Sequence, residues 1–294
     1  MLLLTGATGP IGSALLPGLL AEGVEVRCLV RDPRRLGGQR VRVQIALGDL
    51  ADPPSFRNAL RGVDTVVHLA AAIRDQPRAS IEELNGIATW RLVRAAERAG
   101  ASRFVFFSAL GASSSHRARF FRAKALAERA VRESPLAATI FAPSVVYAPG
   151  DRWLTRLERL APLPLTPVSG RGRTVYQPIW AQDVADCVLA ALRAPDGQAD
   201  LRYELAGPET LSHDEIVRTV LRAVDGRRRP LVHIPTPIVS RTLRLLAAVR
   251  KERAFATWDE AELMETSMIA PRGAADAESL GVTPRALAAV LGLA

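Results

Sequence analysis

The fold of this chain is decided at residues 2–12, which read LLLTGATGPIG. A short apolar run typical of a buried strand passes at once into a glycine-rich turn, and the turn passes into an apolar helical pattern. Glycines at positions 6, 9 and 12 permit a tight bend, a close approach of backbone to phosphate, and close packing of helix on strand. The first turn of such a helix also offers free N–H groups to an anion. We therefore predict a dinucleotide pyrophosphate site here; the competing interpretation is a plain turn between strand and helix.

Short apolar runs and helical patterns keep alternating through the first half of the sequence. The apolar runs predict strands at Leu2–Leu4, Val24–Val30, Val43–Leu47, Thr65–Leu69, Phe104–Ser108 and Ala138–Phe141. The helical patterns between them predict helices at Ile11–Ala21, Pro54–Leu60, Ile81–Ala99 and Ala118–Arg132. This order is typical of an α/β fold of the Rossmann type, a doubly wound parallel sheet with helices on both faces.

The sequence changes in character after Pro143. Residues 143–178 are rich in proline and read as loops around a short helix at Trp153–Arg159. The pattern of Gln182–Arg193 predicts a helix that packs back onto the sheet. From Tyr203 onward the pattern is that of a strand, helices and a proline-rich connector.

These patterns divide the chain into two parts. We predict a dinucleotide-binding Rossmann domain over residues 1–145, with residues 178–195 packed against it. A smaller C-terminal α/β lobe on the substrate side is predicted over residues 146–294. Because open α/β sheets bind ligands beyond the carboxyl ends of their strands, a small-molecule substrate is expected in the cleft between the two parts.

The composition narrows the classes of function. The 294 residues, 48% hydrophobic and 23% charged, are those of an ordinary globular protein. The sequence has no uninterrupted apolar run of about 20 residues, and its apolar amino terminus lacks a basic leader, so we expect a cytoplasmic protein. The formal net charge is +9, but the arginines are scattered and aromatic residues are only 5%, so nucleic-acid binding is not expected. Cys28 and Cys187 lack metal-ligand spacing, and no metal site is expected.

The residue after the second predicted strand bears on which dinucleotide binds. Arg31 stands where NAD-binding proteins usually place a carboxylate for the ribose hydroxyls. A guanidinium there suits a 2′-phosphate, and Arg34 and Arg35 add positive charge nearby. We therefore favour NADP(H) over NAD(H). Asp32, one residue further on, leaves NAD open, and Arg31 is alternatively an ordinary surface arginine.

Two further stretches follow strands at the same edge of the predicted sheet. Residues 48–50, Gly-Asp-Leu, offer a carboxylate that can accept from the adenine amino group. Residues 66–71, VVHLAA, supply small side chains where a strand end passes close to the cofactor. We expect His68 to be a strand residue with local hydrogen-bond partners rather than a catalyst.

Taken together, these segments resemble the short-chain dehydrogenase/reductase superfamily in its extended and atypical branches. The segments that carry the resemblance, in order, are TGATGPIG (5–12), VRDP (30–33), GDL (48–50), VVHLAA (66–71), RFVFFSALGA (103–112), APSVVYAPGD (142–151), QPIWAQDVADCVLAAL (177–192) and YELAGPETLSHDEIV (203–217). The nearest likeness is to the NmrA-like group, and within it to relatives of the NADPH-binding accessory subunit of respiratory complex I.

The resemblance implies a set of site residues. The cofactor-binding residues of the turn and of the adenosine half would be Gly6, Thr8, Gly9, Pro10, Ile11, Gly12, Arg31, Asp49 and Leu50. Those of the nicotinamide half would be Leu69, Ala70, Ala71, Pro143 and Val145. Ser108 would occupy the position of the catalytic serine, and Lys124 that of the lysine that holds the nicotinamide ribose.

The sequence departs from the family at one catalytic position. The family's Tyr-x-x-x-Lys motif reads FFRAK at residues 120–124, so that Phe120 takes the place of the tyrosine. A phenyl ring has no proton to give, and losing a general acid forfeits on the order of 10²–10⁴ in rate. His116 and Tyr147 are the nearest alternative acids in the sequence, and neither is convincing.

Two functions remain open. The first is NADPH-dependent reduction of a small carbonyl or enone compound, and the second is a catalytically weak NADP(H)-binding structural subunit or redox sensor. A sugar-nucleotide epimerase is less favoured, because such an enzyme normally needs the tyrosine. Residues 237–250 form a basic amphipathic stripe, which most often packs within a lobe. Docking of this stripe on a membrane surface or a partner protein is the alternative.

Overall fold

The computed structural model of the protein describes residues 1–77, 79–194, 201–227, 229–235, 237–239, 241 and 262–293. The strands are β1 (Leu2–Thr5), β2 (Val26–Val30), β3 (Gln44–Leu47), β4 (Thr65–His68), β5 (Arg103–Phe107), β6 (Ala137–Pro143), β7 (Val146–Tyr147), β8 (Thr166–Ser169), β9 (Val175–Tyr176), β10 (Ile179–Trp180), β11 (Leu201–Leu205), β12 (Leu211–Ser212) and β13 (Leu231–Ile234). The helices are α1 (Pro10–Ala21), α2 (Pro53–Phe56), α3 (Ala88–Ala99), α4 (Arg119–Arg132), α5 (Arg152–Glu158), α6 (Ala181–Arg193), α7 (His213–Asp225), α8 (Ala275–Ser279) and α9 (Leu287–Val290). Tight 3₁₀ turns occupy Pro33–Val41 and Arg57–Leu60, and a π-helical turn occupies Glu83–Ile87.

Seven parallel strands form the central sheet in the order β11-β6-β5-β4-β1-β2-β3. The predicted Rossmann-type fold is confirmed. The strand order reverses between β1 and β4, and that is the position where sheets of this kind bind ligands. The glycine-rich turn after β1 and the small residues after β4 therefore lie side by side at the carboxyl edge of the sheet.

Both faces of the sheet are buried, because the strand side chains alternate between two apolar clusters. Leu2 and Leu4 of β1 point into the cluster beneath α1 and α6, whereas Leu3 points into the cluster beneath α3 and α4. Helix α6 packs along α1, so the segment after β10 returns to the sheet.

One strand of the central sheet comes from a part of the sequence that we assigned to the smaller lobe. Strand β11 pairs in parallel with β6 as the seventh strand. Its sequence, LRYEL, alternates polar and apolar residues and gives no sign of a central strand. It suits an edge position, where the Asp276 carboxylate accepts a 2.7 Å hydrogen bond from the Glu204 amide and α8 covers the strand. The pairing with β6 depends on contacts distant in sequence, which a local pattern does not reveal.

The remaining elements pack around a separate apolar cluster that includes Tyr147, Leu154, Tyr176 and Ile216. Residues 262–270 then return across β9 to the end of the central sheet. In that return the Met268 amide donates to the Val175 carbonyl at 3.1 Å, and the Gln177 amide donates to the Met268 carbonyl at 3.3 Å. The smaller elements are thereby tied to the carboxyl edge of the sheet.

The predicted helix over Ile81–Ala99 contains an irregularity that the sequence pattern missed. Its first part winds as the π-helical turn, where the buried side chain of Asn85 bonds backbone groups outside the helix. Gly86 lies against Leu126 of α4 in the same turn.

Two other expectations concern membranes. None of the helices in the described part of the chain is both long and apolar enough to cross a bilayer. The amphipathic stripe at 237–250 falls mostly outside the described residues, so its docking role stays a prediction.

Candidate functional site

The turn after β1 is shaped by close backbone contacts. Gly6 has a left-handed conformation with φ of 74°, and a Cβ atom there would lie 2.6 Å from the amide nitrogen of Ala70. A Cβ atom on Gly12 would lie 2.2 Å from the carbonyl oxygen of Gly6. A Cβ atom on Gly9, in contrast, meets a single described atom within 4 Å, the Gly6 carbonyl oxygen at 3.3 Å. Gly6 and Gly12 are thus required by the fold, whereas a side chain on Gly9 would make one tight contact, with the Gly6 carbonyl oxygen.

Helix α1 begins with unpaired amides. Pro10 occupies the first turn, and the first backbone bond runs from the Ser13 amide to the Gly9 carbonyl at 2.9 Å. Within the described residues, the amides of Ile11 and Gly12 have no acceptor. They face the open side of the turn with the positive end of the helix dipole. This arrangement fits a phosphate, and Thr8 and Gly9 border the same space.

Arg31 and Asp32, two residues of opposite charge, follow β2 and differ in their contacts with the rest of the protein. Arg31 is exposed and makes no ion pair with any residue that the structure describes. The Asp32 carboxylate accepts from the Arg34 amide at 3.1 Å and from the Arg34 guanidinium at 2.9 and 3.0 Å. These hydrogen bonds hold the pKa of Asp32 below its ordinary value. Asp32 therefore caps the turn that starts at Pro33, and Arg31 is available to a ligand.

The predicted adenine residues lie where β3 ends. One carboxylate oxygen of Asp49 accepts from the Ala51 amide at 3.0 Å, and the Ser55 hydroxyl accepts from the Asp49 amide at 2.8 Å. The second carboxylate oxygen of Asp49 has no partner in the described part of the chain. Asp49 and Leu50 are half-buried, so this loop is ordered and keeps one acceptor free.

A buried chain of hydrogen bonds joins β1, β4 and α3. The Thr89 hydroxyl donates to the Asn85 carbonyl at 2.6 Å, so its oxygen accepts from Nε2 of His68 at 3.0 Å. The other ring nitrogen, Nδ1, then accepts from the Thr5 hydroxyl at 2.7 Å. Burial, assisted by the charge of Lys124, lowers the pKa of His68 to about 3. His68 is consequently a neutral strand residue with local partners.

The buried chain ends at the loop after β4. The Asn85 side chain accepts from the Ala72 amide at 3.0 Å and donates to the carbonyls of Ala72 and Ile81 at 2.7 and 2.8 Å. The loop that carries Leu69, Ala70 and Ala71 is thereby held against the Gly6 turn. Sequence reasoning missed Asn85 and Thr89. The sequence did contain a signal for these two residues, because each is polar and lies on a helix face that is otherwise buried.

Lys124 lies deep in the structure beside β5. Its side chain is buried, and Nζ donates to the Phe107 carbonyl at 2.6 Å. The rings of Phe106 and Phe120 lie 5.0 and 5.8 Å from Nζ. Burial lowers the pKa of Lys124 to about 7, although the charge of Glu128 acts in the opposite direction. The Phe120 ring thus stands against the lysine, as the motif spacing predicted.

Ser108 comes directly after Phe107, whose carbonyl accepts the hydrogen bond from Lys124. Its hydroxyl is buried, and among the described residues it has no hydrogen-bond partner. Nζ of Lys124 has three N–H groups and, within the same described residues, one oxygen acceptor. The two side chains therefore leave several hydrogen-bonding positions unfilled at the end of β5. A ribose with two neighbouring hydroxyl groups would fit these positions.

The strand ends opposite Ser108 complete the nicotinamide side. The Pro143 carbonyl accepts from the Leu110 amide at 3.0 Å, and the Val145 carbonyl accepts from the Ile179 amide at 3.0 Å. The Ser144 hydroxyl, which sequence reasoning did not single out, donates to the Met268 carbonyl at 2.7 Å. Pro143 and Val145 are therefore fixed in position by backbone bonds.

Comparison with known proteins agrees with this geometry. A family described as NAD(P)H-binding matches residues 6–195, which is more than half of the chain. The chain belongs to this family. It is an atypical member of the short-chain dehydrogenase/reductase superfamily.

Two curated relatives and one solved structure illustrate the breadth of the superfamily. The chain is 31% identical to the mitochondrial NADH dehydrogenase (ubiquinone) 1 alpha subcomplex subunit 9 of Arabidopsis thaliana over 79% of its own length and 60% of the relative's length. It is 30% identical to the ceramide reductase of Caulobacter vibrioides, over 80% of this chain and 73% of that one. A nucleoside-diphosphate-sugar epimerase from Staphylococcus aureus shares the fold, with a TM-score of 0.75 at 21% identity and 99% coverage of each chain.

In this dehydrogenase/reductase scaffold, neither of the alternative acids stands ready to replace the missing tyrosine. Nδ1 of His116 accepts from the Ala118 amide at 3.0 Å, and the ring packs 4.5 Å from that of Phe121. Tyr147 is fully buried in the cluster of the smaller elements, and burial raises its pKa. Phe120 packs against an apolar cluster that also includes Ala109, Ala118, Phe121, Leu263 and Met268.

The first prediction separates the two kinds of glycine in the turn. Gly9→Val should keep the fold and lose the dinucleotide, because the added side chain occupies the open space in front of the Ile11 and Gly12 amides. Gly12→Val should fail to fold, because its Cβ atom would overlap the Gly6 carbonyl. Circular dichroism and calorimetric titration with NADPH and NADH check both. Normal binding by a folded Gly9→Val variant would show that the phosphate site is elsewhere.

The second prediction concerns the buried ammonium of Lys124. Burial lowers its pKa from the ordinary 10.5 to about 7 in the folded chain, so the unfolded chain binds more protons between these pH values. The free energy of unfolding should therefore rise with pH across this window. Lys124→Met should stabilise the protein by about 1–4 kcal/mol at pH 6 and below, and the gain should shrink towards pH 10. Urea denaturation at several pH values measures it, and a variant destabilised equally at every pH contradicts the burial of a charge.

Proposed function

We propose that the chain binds NADP(H) and reduces an uncharged carbonyl or enone compound at the end of β5. The observation that carries this proposal is the pair of unfilled hydrogen-bonding groups, Lys124 Nζ and the Ser108 hydroxyl, on the same sheet edge as the phosphate-binding turn. Buried polar groups are rarely left without partners. A ligand that brings hydroxyl groups to this place satisfies them.

The preference for NADP(H) rests on the contrast between Arg31 and Asp32. Recognition of an unphosphorylated ribose by a carboxylate would require Asp32, whose oxygens are already bonded to Arg34. Arg31 has no ion-pair partner within the described residues, and a guanidinium forms strong charge-assisted bonds with a phosphate. The charge balance at this edge therefore favours the phosphorylated dinucleotide.

The reduction needs a hydride and a proton. A dihydronicotinamide held at the end of β5 by Lys124 and Ser108 would supply the hydride. The proton for the developing alkoxide would come from the Lys124 ammonium, because Phe120 has none to give. A pKa near 7 suits an acid that must release and recover a proton at neutral pH.

We expect an uncharged substrate, because the arginines next to Phe120 in sequence are bonded to other groups of the protein. Arg117 pairs with Glu265 at 2.8 Å, and Arg119 pairs with Glu82 at 2.6 Å. Arg122 donates to backbone carbonyls of the preceding loop. With Leu263 and Met268 in the same apolar cluster as Phe120, the described residues here offer apolar contacts, and the three arginines next to Phe120 in sequence are bonded to other groups.

A second function is supported by Phe120 itself. In this second function the chain holds NADP(H) without turnover and acts as a binding module, either a structural subunit or a redox sensor that works through protein contacts. The relative from Arabidopsis thaliana is, by its name, a subunit of an NADH dehydrogenase. Turnover decides between the two functions.

The third prediction tests the choice of dinucleotide. The native chain should bind NADPH at least about tenfold more tightly than NADH, which corresponds to about 1.4 kcal/mol. Arg31→Ala should remove this difference by weakening NADPH alone, whereas Arg222→Ala, a change at an exposed arginine of α7, should leave both affinities unchanged. Calorimetric titration measures them. Equal native affinities would remove the case for NADP(H).

The fourth prediction tests catalysis at the tyrosine position. NADPH oxidation is followed with a panel of aldehydes, ketones and quinones for the native chain and for Phe120→Tyr, which places a phenol beside Lys124. Native turnover that the substitution raises or leaves unchanged supports the reductase. A native chain that is inert with every compound, together with a variant that gains activity, supports the binding module. Loss of NADPH binding in the variant would show that Phe120 does not border the cofactor.

A further inference from the structure

The two edges of the central sheet differ in how they are protected. At the β11 edge, Asp276 accepts from an outward-facing amide and α8 covers the strand. At the β3 edge, the Gly48 amide donates to Val30 of β2 at 3.2 Å. Alternation then directs the amides and carbonyls of Ile45 and Leu47 away from the sheet. Nothing in the described part of the chain pairs with them, so this edge is open.

The side chains along the open edge are apolar. Val41 is 82% exposed, Ile45 is 40% exposed and Leu47 is 63% exposed. Ile45 and Leu47 lie on the same face of β3, because they are two residues apart. Proteins usually guard an open edge with charged residues on the strand or with proline. Here three large aliphatic side chains are exposed instead.

Positive charge lies beside these apolar side chains. Arg40 and Arg42, on either side of Val41 in the segment that leads into β3, are exposed, and neither has an ion-pair partner within the described residues. Arg57 and Arg61 belong to the segment over the other face of the sheet, where Arg27 donates to the Arg61 carbonyl at 2.8 Å and to the Gln44 side chain at 3.0 Å.

Some arginines on helices elsewhere in the structure are paired. Arg94 pairs with Glu97 at 2.9 Å, and Arg129 pairs with Glu133 at 2.6 Å. Arg40 and Arg42 have no such partner within the described residues, so both guanidinium groups are available to an acidic ligand beside the open edge.

We propose that the β3 edge binds an extended acidic segment of another protein, which adds to the sheet as an eighth strand. The segment's backbone would pair with the free groups of Ile45 and Leu47, its apolar side chains would cover these residues, and its carboxylates would face Arg40 and Arg42. Strand addition supplies affinity through main-chain bonds and specificity through alternate side chains.

Two other occupants fit the edge less well. A second copy would bring another set of unpaired arginines against the first, and like charges repel. A lipid bilayer would place the free amides and carbonyls of β3 in an environment without hydrogen-bond partners, which is costly. The acidic strand satisfies the backbone, the apolar side chains and the charge together.

The experiment uses the full chain and two fluorescein-labelled peptides, one of four Val-Glu repeats and one of four Val-Lys repeats. Fluorescence anisotropy should show the acidic peptide binding at least about tenfold more tightly than the basic one. Arg42→Glu should weaken the acidic peptide by about tenfold, whereas the matched Arg222→Glu on α7 should not. Hydrogen exchange should slow at the amides of Ile45 and Leu47 when the acidic peptide is bound.

Each other result overturns the proposal. Binding without protection of the two amides would show a purely electrostatic contact, and insensitivity to Arg42→Glu would place the peptide elsewhere. Failure of the acidic peptide to bind contradicts strand addition. If vesicles of 30% phosphatidylglycerol in phosphatidylcholine then sediment with the protein, the edge binds lipid instead.

Discussion

The backbone contact between the Gly6 turn and the loop after β4 is the constraint on which the site depends. The turn approaches Ala70 so closely that a side chain on Gly6 cannot be accommodated, and α1 starts so close to the turn that Gly12 must also lack one. This packing brings the unpaired amides of α1 to the point where the strand order reverses. The hydrogen bonds from Thr5 through His68 and Thr89 to Asn85 hold the loop after β4 in the same place. The phosphate-binding geometry is therefore a consequence of how two adjacent strands end.

The other half of the site is organised by a buried amine. Within the described residues Lys124 has one carbonyl as its oxygen acceptor, and the Ser108 hydroxyl next to that carbonyl has no partner. Such an arrangement is costly for the protein alone. It becomes favourable when a ligand brings acceptors and donors, so the lysine is suited to holding a cofactor whether or not chemistry follows. Phe120, at the position that the motif spacing gives to the family's tyrosine, has no proton to donate.

Much of the fold followed from local sequence patterns. The alternation of apolar runs and helices predicted the six N-terminal strands, and the Gly-x-x-Gly-x-x-Gly spacing predicted the turn. The four-residue spacing of Phe120 and Lys124 predicted their contact, because residues four apart share a helix face. A strand at Tyr203 was expected, but its pairing with β6 and the return of residues 262–270 over β9 could not be predicted, since the pairing partners lie far away in sequence. Asn85 was missed because its role is to bond a loop outside its own helix. The cofactor roles of the individual residues remain predictions.

The most direct measurement is a crystal structure of the chain with NADPH. The account predicts the pyrophosphate on the amides of Ile11 and Gly12, the 2′-phosphate beside Arg31, and the nicotinamide ribose hydroxyls in hydrogen-bond contact with Lys124 Nζ and the Ser108 hydroxyl. A dinucleotide bound away from the α1 amino terminus, or one whose nicotinamide ribose leaves Lys124 and Ser108 without contact, would contradict it.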